Sequence, residues 1–396
     1  MSESVHIDRA AVGGAVGRLG DGRAVFVRGA LPGEEVEVEV TEDHATYARG
    51  RVSKVLQASA ERVAPFCPYA HPTGCGGCDL AHASPAAQRE WKESVAADQL
   101  RRLGSIEQTV QLQTVEPALH GRTRIRCQVD ETGHLAFRRA ASSELICINS
   151  CPASDERFSE ALTADWIGAQ EVELRALGDE EPYAVVTLAD GQVVTSDLDG
   201  LIDEEARRSH VVVGRHRFRV SAGSFWQAHR EAPHVLTDAV MKAANVGRGD
   251  SVVDLYSGVG LFAVPLAVAV GPTGKVVTIE AGSSSVGDAR RNAADYPQIT
   301  VRKARVNANS VRDVITAESV VVLDPPRTGA DKGAINEIVR IQPRRIVYVS
   351  CDIATLARDL KTLTAAGYRI SSFRTFDLFP QTEHVEAVVT LDRNPR

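Results

Sequence analysis

No stretch of this sequence is long and apolar enough to cross a bilayer. The longest nearly apolar run, Val259–Val270, is interrupted by Gly260 and Pro265 and falls short of the ~20 residues a spanning helix needs. The opening residues, MSESVHIDRAAVGG, contain no basic segment followed by an apolar one, so no export leader is expected and the expected location is the cytoplasm. Internal repeats and low-complexity segments are missing too, which excludes solenoid and fibrous architectures. There is no excess of positive charge. Asp and Glu number 52 against 45 Lys and Arg, a net −7, and taken alone that balance speaks against a nucleic-acid partner. Lysine is scarce, only seven of the 45 basic residues; the arginine excess suits bidentate phosphate contacts but is also what a GC-rich coding sequence gives. Cysteine is limited to seven residues, an odd number that, without a leader, reads as metal binding or catalysis before disulfides.

What is present suffices for a folded protein. With 43% hydrophobic residues, wholesale disorder is excluded, and 396 residues at ~100–200 per domain suggest two or three domains. Residues 1–58 read as a small β-barrel: Glu35 to Val40 alternates charged and apolar residues strictly, and glycines punctuate short strands. Residues 59–224 read as a central mixed α+β domain carrying cysteines. A helix over 85–103 starts at Ser84-Pro85 and ends at Gly104; despite its place in the chain it is expected to pack on the C-terminal domain. From 225 to 396, apolar strands at Ser251–Leu255, Lys275–Ile279, Val320–Leu323 and Arg345–Val349 alternate with helical segments near 260–270, 283–294, 331–341 and 354–366. That predicts a mostly parallel sheet with helices on both faces, an α/β fold, closed by two late strands near 370–375 and 385–391.

Chemistry-bearing residues gather where these strands end. Asp254-Leu-Tyr256-Ser-Gly258-Val-Gly260-Leu-Phe stands at a strand-to-helix turn where glycines let a ligand approach the backbone. Glu280 ends the next strand, where a carboxylate can hold two ribose hydroxyls. Gly258 to Ala263 also satisfies G-x-G-x-x-A, so a nicotinamide oxidoreductase competes at this point. Asp324-Pro-Pro-Arg-Thr-Gly329 ends another strand. Ile346-Val-Tyr-Val-Ser-Cys351 places a thiol before a helix start, where the helix dipole is expected to lower its pKa. Phe376 to Glu386 gathers Asp377, His384 and Glu386 around a proline turn. Cys67, Cys75, Cys78 and Cys151 offer four thiolates, and their spacing fits zinc as well as an iron–sulfur cluster; Cys147 is an alternative to Cys151. Arginine-rich runs at 119–140 and 338–369 are candidate phosphate contacts.

Asp324-Pro-Pro-Arg-Thr-Gly followed by Ile346-Val-Tyr-Val-Ser-Cys351, together with Asp377-Leu-Phe-Pro-Gln-Thr-Glu-His-Val-Glu386, resembles the two signatures of the RNA 5-methyluridine methyltransferase family, which uses S-adenosylmethionine. The resemblance runs over nearly the whole chain, with residues 1–58 similar to a TRAM barrel. It departs at Asp352, where the family has Asn. It implies a class I, Rossmann-like methyltransferase domain, Cys351 as nucleophile on uracil C6, Glu386 as the base that removes the C5 proton, and Asp324 beside the uracil or the cofactor. It also implies Gln227, Asp254, Tyr256, Gly258, Gly260, Glu280, Asn307 and Asp324 as cofactor contacts. The absence of a Cys from Asp-Pro-Pro-Arg favours uracil over cytosine. For the four cysteines it implies a 4Fe–4S cluster, although the first gap is longer than the family's; zinc is the alternative. RNA is the implied partner, 23S ribosomal RNA before transfer RNA, with no membrane partner and a monomeric protein. A non-catalytic RNA-binding protein would keep the barrel and tolerate loss of Cys351.

Overall fold

The computed structural model describes residues 2–199, 202–203 and 207–394. Strands β1 (Ser2–Ala11), β2 (Gly14–Arg18), β3 (Ala24–Arg28), β4 (Glu35–Asp43) and β5 (Tyr47–Gln57) close into a barrel in the order β1-β2-β3-β5-β4. The alternation of β4 explains closure, since Val36 and Val38 are fully buried inside while the intervening glutamates point outward. Closure also needs Gly17, because a Cβ there would collide with the backbone of His6.

Helix α1 (Pro85–Gln99) is capped by Ser84, whose hydroxyl accepts from the Ala87 amide. It joins two cores. Trp91 and Val95 enter the barrel interior, whereas Ala96 and the following Leu100 enter the core of the C-terminal sheet. Next, β6 (Leu112–Thr114) pairs in parallel at the far edge of that sheet.

The central part is an antiparallel sheet of β7 (Arg124–Val129), β8 (Leu135–Arg138), β9 (Leu145–Cys147), β10 (Ala169–Arg175), β11 (Tyr183–Leu188), β12 (Val193–Ser196) and β13 (Ile202–Asp203), in the order β13-β12-β11-β10-β7-β8-β9. It buries Ile125, Cys127, Leu174 and Val186 against Phe158 and Trp166. The hairpin β14 (Arg208–Val213) and β15 (His216–Ser221) lies outside it and packs Phe218 and Val220 onto the C-terminal core. The end of α1, β6 and this hairpin thus all lie within 59–224 yet join the core of 225–396. Their hydrophobic periodicity is that of any strand or helix and carries no address.

The C-terminal unit runs α2 (Ala232–Ala244), β16 (Ser251–Leu255), α3 (Ala263–Val270), β17 (Lys275–Glu280), α4 (Ser283–Asn292), β18 (Ile299–Lys303), α5 (Ala308–Arg312), β19 (Val320–Leu323), α6 (Lys332–Ile341), β20 (Arg345–Ser350), α7 (Ile353–Ala365), β21 (Tyr368–Asp377) and β22 (Glu386–Arg393). The sheet order is β18-β17-β16-β19-β20-β22-β21-β6, with β16 to β20 parallel and β22 antiparallel to β20. Leu236 and Leu266 from α2 and α3 cover one face; Ile335, Ile338, Leu356 and Leu360 from α6 and α7 cover the other. The strand order reverses between β16 and β19, so a crevice opens beyond their C-terminal ends. Helix α2 and strand β18 were not evident from sequence; β18 (Ile-Thr-Val-Arg-Lys) is a half-polar edge strand.

Candidate active site

The crevice is walled first by β16 and the turn that follows it. Asp254 is fully buried, and neither of its carboxylate oxygens has a hydrogen-bond partner. Burial, then the charges of Asp324 and Glu280, hold its pKa well above the usual carboxylate range, with the Ala263 amide opposing. Buried Ser257 and Thr278 also have unpartnered hydroxyls. Such a set of unpaired polar atoms in a protein interior is costly unless a ligand satisfies it. Tyr256 (φ 61°), Gly258 (φ 53°) and Gly260 (φ 91°) bend the chain around this point. The Glu280 carboxylate accepts from Gly258 N at 3.0 Å and from Gly282 N at 2.6 Å, which locks the end of β17 to the glycine turn. The Tyr256 hydroxyl accepts from the Asp331 amide at 3.0 Å. Tyr256 and Glu280 face each other across a cleft of about 540 Å³ that Val306, Pro326 and Thr328 complete.

Two other expected cofactor residues lie at the margins. Asn307 follows Val306 and is exposed; its side-chain oxygen caps α5, accepting from Asn309 N and Ser310 N. Gln227 is half-buried directly after Trp226, whose ring belongs to the core.

The second half of the site comes from three strand ends. Asp324 follows β19 with its amide bonded to Leu255 O. Strands β20 and β22 pair through Ser350 and Ala387, so the next residues outward, Cys351 and Glu386, stand opposite each other. Glu386 is 3% exposed. Burial first, then Asp324, raises its pKa well above normal, against a pull from Arg327. Burial likewise raises Asp324. Cys351 is not activated by its helix. Burial, Glu386 and Asp324 push its thiol up to about 12, Arg327 opposing, so desolvation and two carboxylates outweigh the dipole of α7. Asp352, where the resemblance departs from the family's Asn, caps α7, accepting from Thr355 N at 2.8 Å and Thr355 Oγ1 at 2.9 Å.

The turn residues 377–386 do not form one acidic cluster. Asp377 points away to Lys92, at 2.6 Å. Burial and Arg327 push His384 down to about 4, leaving the imidazole neutral at pH 7, and only Glu386 faces the thiol.

Cys67, Cys75, Cys78 and Cys151 line a single cavity of about 560 Å³, together with Arg122, Arg138 and Glu383. Their sulfurs sense one another: burial, then Cys151 and its neighbours, raises Cys75, and Cys78 reaches about 12 with Arg122 opposing. Even so, among the described residues no group of three His, Cys, Asp or Glu side chains is gathered closely enough to hold a single metal ion. Cys147 is exposed and donates to Asp130 at 2.9 Å, away from that cavity.

The two arginine runs fare differently. Arg122, Arg124, Arg126, Arg138 and Arg139 all line the cysteine cavity, with Arg124 and Arg126 paired to Glu173. In 338–369, Arg340, Arg344, Arg345 and Arg358 are paired with Glu337, Asp250, Asp392 and Asp359. Arg344 and Arg345 also sit at the start of β20, six residues of about 3.3 Å rise from Cys351, hence roughly 20 Å away. Arg358, by contrast, lines the cleft of Tyr256 and Glu280, so the run meets the site there and not at Arg344 or Arg345. Unforeseen in the sequence was Phe225, a large aromatic 55% exposed with the Arg124 guanidinium 5.1 Å above its ring; its place in Ser224-Phe-Trp-Gln227 was the available signal.

Comparison with known proteins agrees with this geometry. The sequence profile of tRNA (uracil-5-)-methyltransferases matches residues 185–394, and that of the TRAM domain matches residues 8–53. An RNA methyltransferase of Streptomyces avermitilis is 38% identical, over 98% of this chain and 97% of its own. The chain belongs to the RNA (uracil-5-)-methyltransferase family. As a member of that family it is an S-adenosylmethionine-dependent enzyme acting on RNA. A 23S rRNA (uracil(1939)-C(5))-methyltransferase of Shewanella frigidimarina is 29% identical over 94% of this chain and 92% of its own. The tRNA (uracil-54, C5)-methyltransferase of Pyrococcus abyssi, solved with S-adenosyl-L-homocysteine, shares the fold with a TM-score of 0.73 at 23% identity, covering 98% of this chain and 100% of that one. A transfer-RNA enzyme therefore has this whole architecture, and the presence of the N-terminal barrel does not separate ribosomal from transfer-RNA enzymes. No helix among the described residues is long and apolar enough to span a membrane.

Proposed function

We propose that this enzyme methylates C5 of a uridine in 23S ribosomal RNA through a covalent Cys351 adduct. The observation carrying the reading is the apposition of Cys351 and Glu386 at the ends of β20 and β22, with Asp324 beside them. Uracil C5 is a weak carbon nucleophile. Addition of the Cys351 sulfur to C6 moves the ring electrons to C5, which then takes the methyl group from the sulfonium. Glu386 removes the remaining C5 proton, the C5–H electron pair forms the C5=C6 double bond, and the C6–S bond breaks to return the thiolate. The raised pKa of Glu386 strengthens it as a base once its proton is lost. Tyr256, Glu280, Gly258 and Gly260 would frame S-adenosylmethionine, with Asp254, Gln227 and Asn307 around them; Phe225 offers a flat π-face where a base could stack. The target uridine has to leave its own stack to reach Cys351, which an unpaired loop makes cheapest. The ribosomal choice rests on the whole-length similarity to the Shewanella enzyme.

Mapping 5-methyluridine in ribosomal and transfer RNA from a deletion strain tests both parts. One 23S position should lose its methyl group and regain it on complementation. Cys351→Ala should fail to restore it, and Glu386→Gln should leave a denaturant-resistant RNA–protein adduct. A transfer-RNA position lost instead would move the substrate, and full activity of Cys351→Ala would sink the mechanism.

The same reading assigns Cys67, Cys75, Cys78 and Cys151 to an iron–sulfur cluster. The chemistry of the donors fits: four thiols line one cavity together with guanidinium groups that offset thiolate charge. The methyl transfer needs no electron from it. Anaerobically purified protein should be brown, and colourless protein with stoichiometric zinc would refute the cluster.

A further inference from the structure

The turn 378–385 joins β21 to β22 and ends at Glu386. Its anchors come from the opposite end of the chain. Lys92, with a fully buried side chain, donates to Asp377 Oδ1 at 2.6 Å and to Phe379 O at 3.0 Å. One helical turn earlier, buried Gln88 meets the Gln381 side chain at 2.9 Å and accepts from the Gln381 amide at 3.2 Å. Gln381 holds φ 67°, unusual for a residue with a side chain. Leu80 N donates to Gln381 O at 2.9 Å, and Gly13 N in the barrel donates to Glu383 Oε2 at 2.7 Å. Gln88 and Lys92 are four residues apart, hence on one face of α1, a face otherwise given to Trp91 and Val95. A lysine in an apolar interior is costly unless paired, and this one is spent entirely on fixing the turn.

We propose that Lys92, supported by Gln88, is a positioning residue for Glu386: α1 holds the 378–385 turn so that the Glu386 carboxylate meets the C5 proton after methyl transfer. The inference rests on Glu386 being the base. It separates the roles of the two strand ends. Cys351 stands at the end of β20, and the hydrogen bonds of Gln88 and Lys92 go to the turn and not to it, whereas Glu386 begins β22 directly after the clamped turn. Loosening the clamp should spare addition and methyl transfer and slow only the last step, in which C5–H breaks, the proton passes to Glu386 and the Cys351–C6 bond is released. A displacement of an ångström costs such a step about 100-fold.

The test is single-turnover reaction of the full-length enzyme with labelled S-adenosylmethionine and total ribosomal and transfer RNA from the deletion strain. Free methylated RNA and the denaturant-resistant adduct are followed separately, and S-adenosylhomocysteine affinity reports an intact fold. Lys92→Met should bind S-adenosylhomocysteine like wild type and transfer the methyl group, yet accumulate adduct that resolves about 100-fold more slowly. Should Lys92→Met fail to fold, Lys92→Met/Asp377→Leu leaves no charge buried and should give the same accumulation. Release at the wild-type rate, or equal slowing of methyl transfer and release, in whichever of these variants folds would overturn the clamp. Glu386→Gln runs alongside: if it accumulates adduct and the Lys92 variants do not, the clamp alone fails; if it accumulates none, the assignment of the base fails and the clamp with it.

Discussion

At the residue scale, the sequence displays the groups proposed to react but not their protonation. Cys351, Glu386 and Asp324 stand in recognisable surroundings because strand ends and proline turns are local features. Their electrostatics are not local. Burial, with Glu386 on the neighbouring strand β22 and Asp324 at the end of β19 on the other side, reverses the shift expected from the helix that follows. The free enzyme therefore holds a neutral thiol at pH 7, and the proposed mechanism requires it to ionise in the complex with RNA. Raising pH favours the thiolate, so a thiol at about 12 gains reactivity up to far higher pH than an ordinary one. Alkylation of Cys351 by iodoacetamide, followed by peptide mass spectrometry, should be slow at pH 8 and still rising above pH 10. A plateau near pH 9 would contradict the buried, carboxylate-flanked environment.

At the element scale, strand identity was readable wherever apolar runs were uninterrupted, as in β16, β17, β19 and β20. Charged positions were harder to place. Arg124 and Arg126 on β7 look like a surface patch in sequence, but they converge with buried Arg175 on Glu173 of β10. Burial alone would raise the Glu173 carboxyl; hydrogen bonds from Arg124 and the charges of Arg175 and Arg124 hold it down at about 2. Cross-strand registers of this kind depend on pairing that no local pattern specifies. Glu173→Gln should destabilise the protein by about 3–5 kcal/mol at pH 7, since it strands the buried Arg175 charge. Because the native pKa is depressed, the wild-type advantage is complete above pH 4.5 and is lost as pH falls towards 2. Denaturant titrations at pH 7 and pH 3 check both the size and its decline.

At the scale of the whole molecule, the bulk charge of −7 hides an uneven field. The arginines of 119–140 converge on the cysteine cavity, whereas in 338–369 Arg340, Arg344 and Arg345 are paired with carboxylates and Arg358 alone of the four paired arginines lines the cleft of Tyr256 and Glu280. Composition records the sum and not the placement. RNA affinity measured against salt should accordingly lose slope on Arg138→Ala/Arg139→Ala and stay unchanged on Arg340→Ala, a pattern that the opposite result would reverse. The N-terminal barrel and the C-terminal α/β sheet were legible as units; the helix that fastens them was legible only as a helix, because its buried Gln88 and Lys92 look in sequence like ordinary solvated positions.

That fastening sets an order of events during synthesis. The partners Trp91 and Val95 need, the barrel strands, have all been made by the time α1 emerges. Lys92 must wait for Asp377, 285 residues later, and at ~5–20 residues per second that interval is roughly 15 to 60 s. For that time the nascent chain has a finished barrel and a lysine without its partner, and it still lacks Glu386, the proposed base. The turn that closes the clamp and the strand that follows it, β22, are both made last, so the two ends of the chain are fastened together only when synthesis is nearly complete.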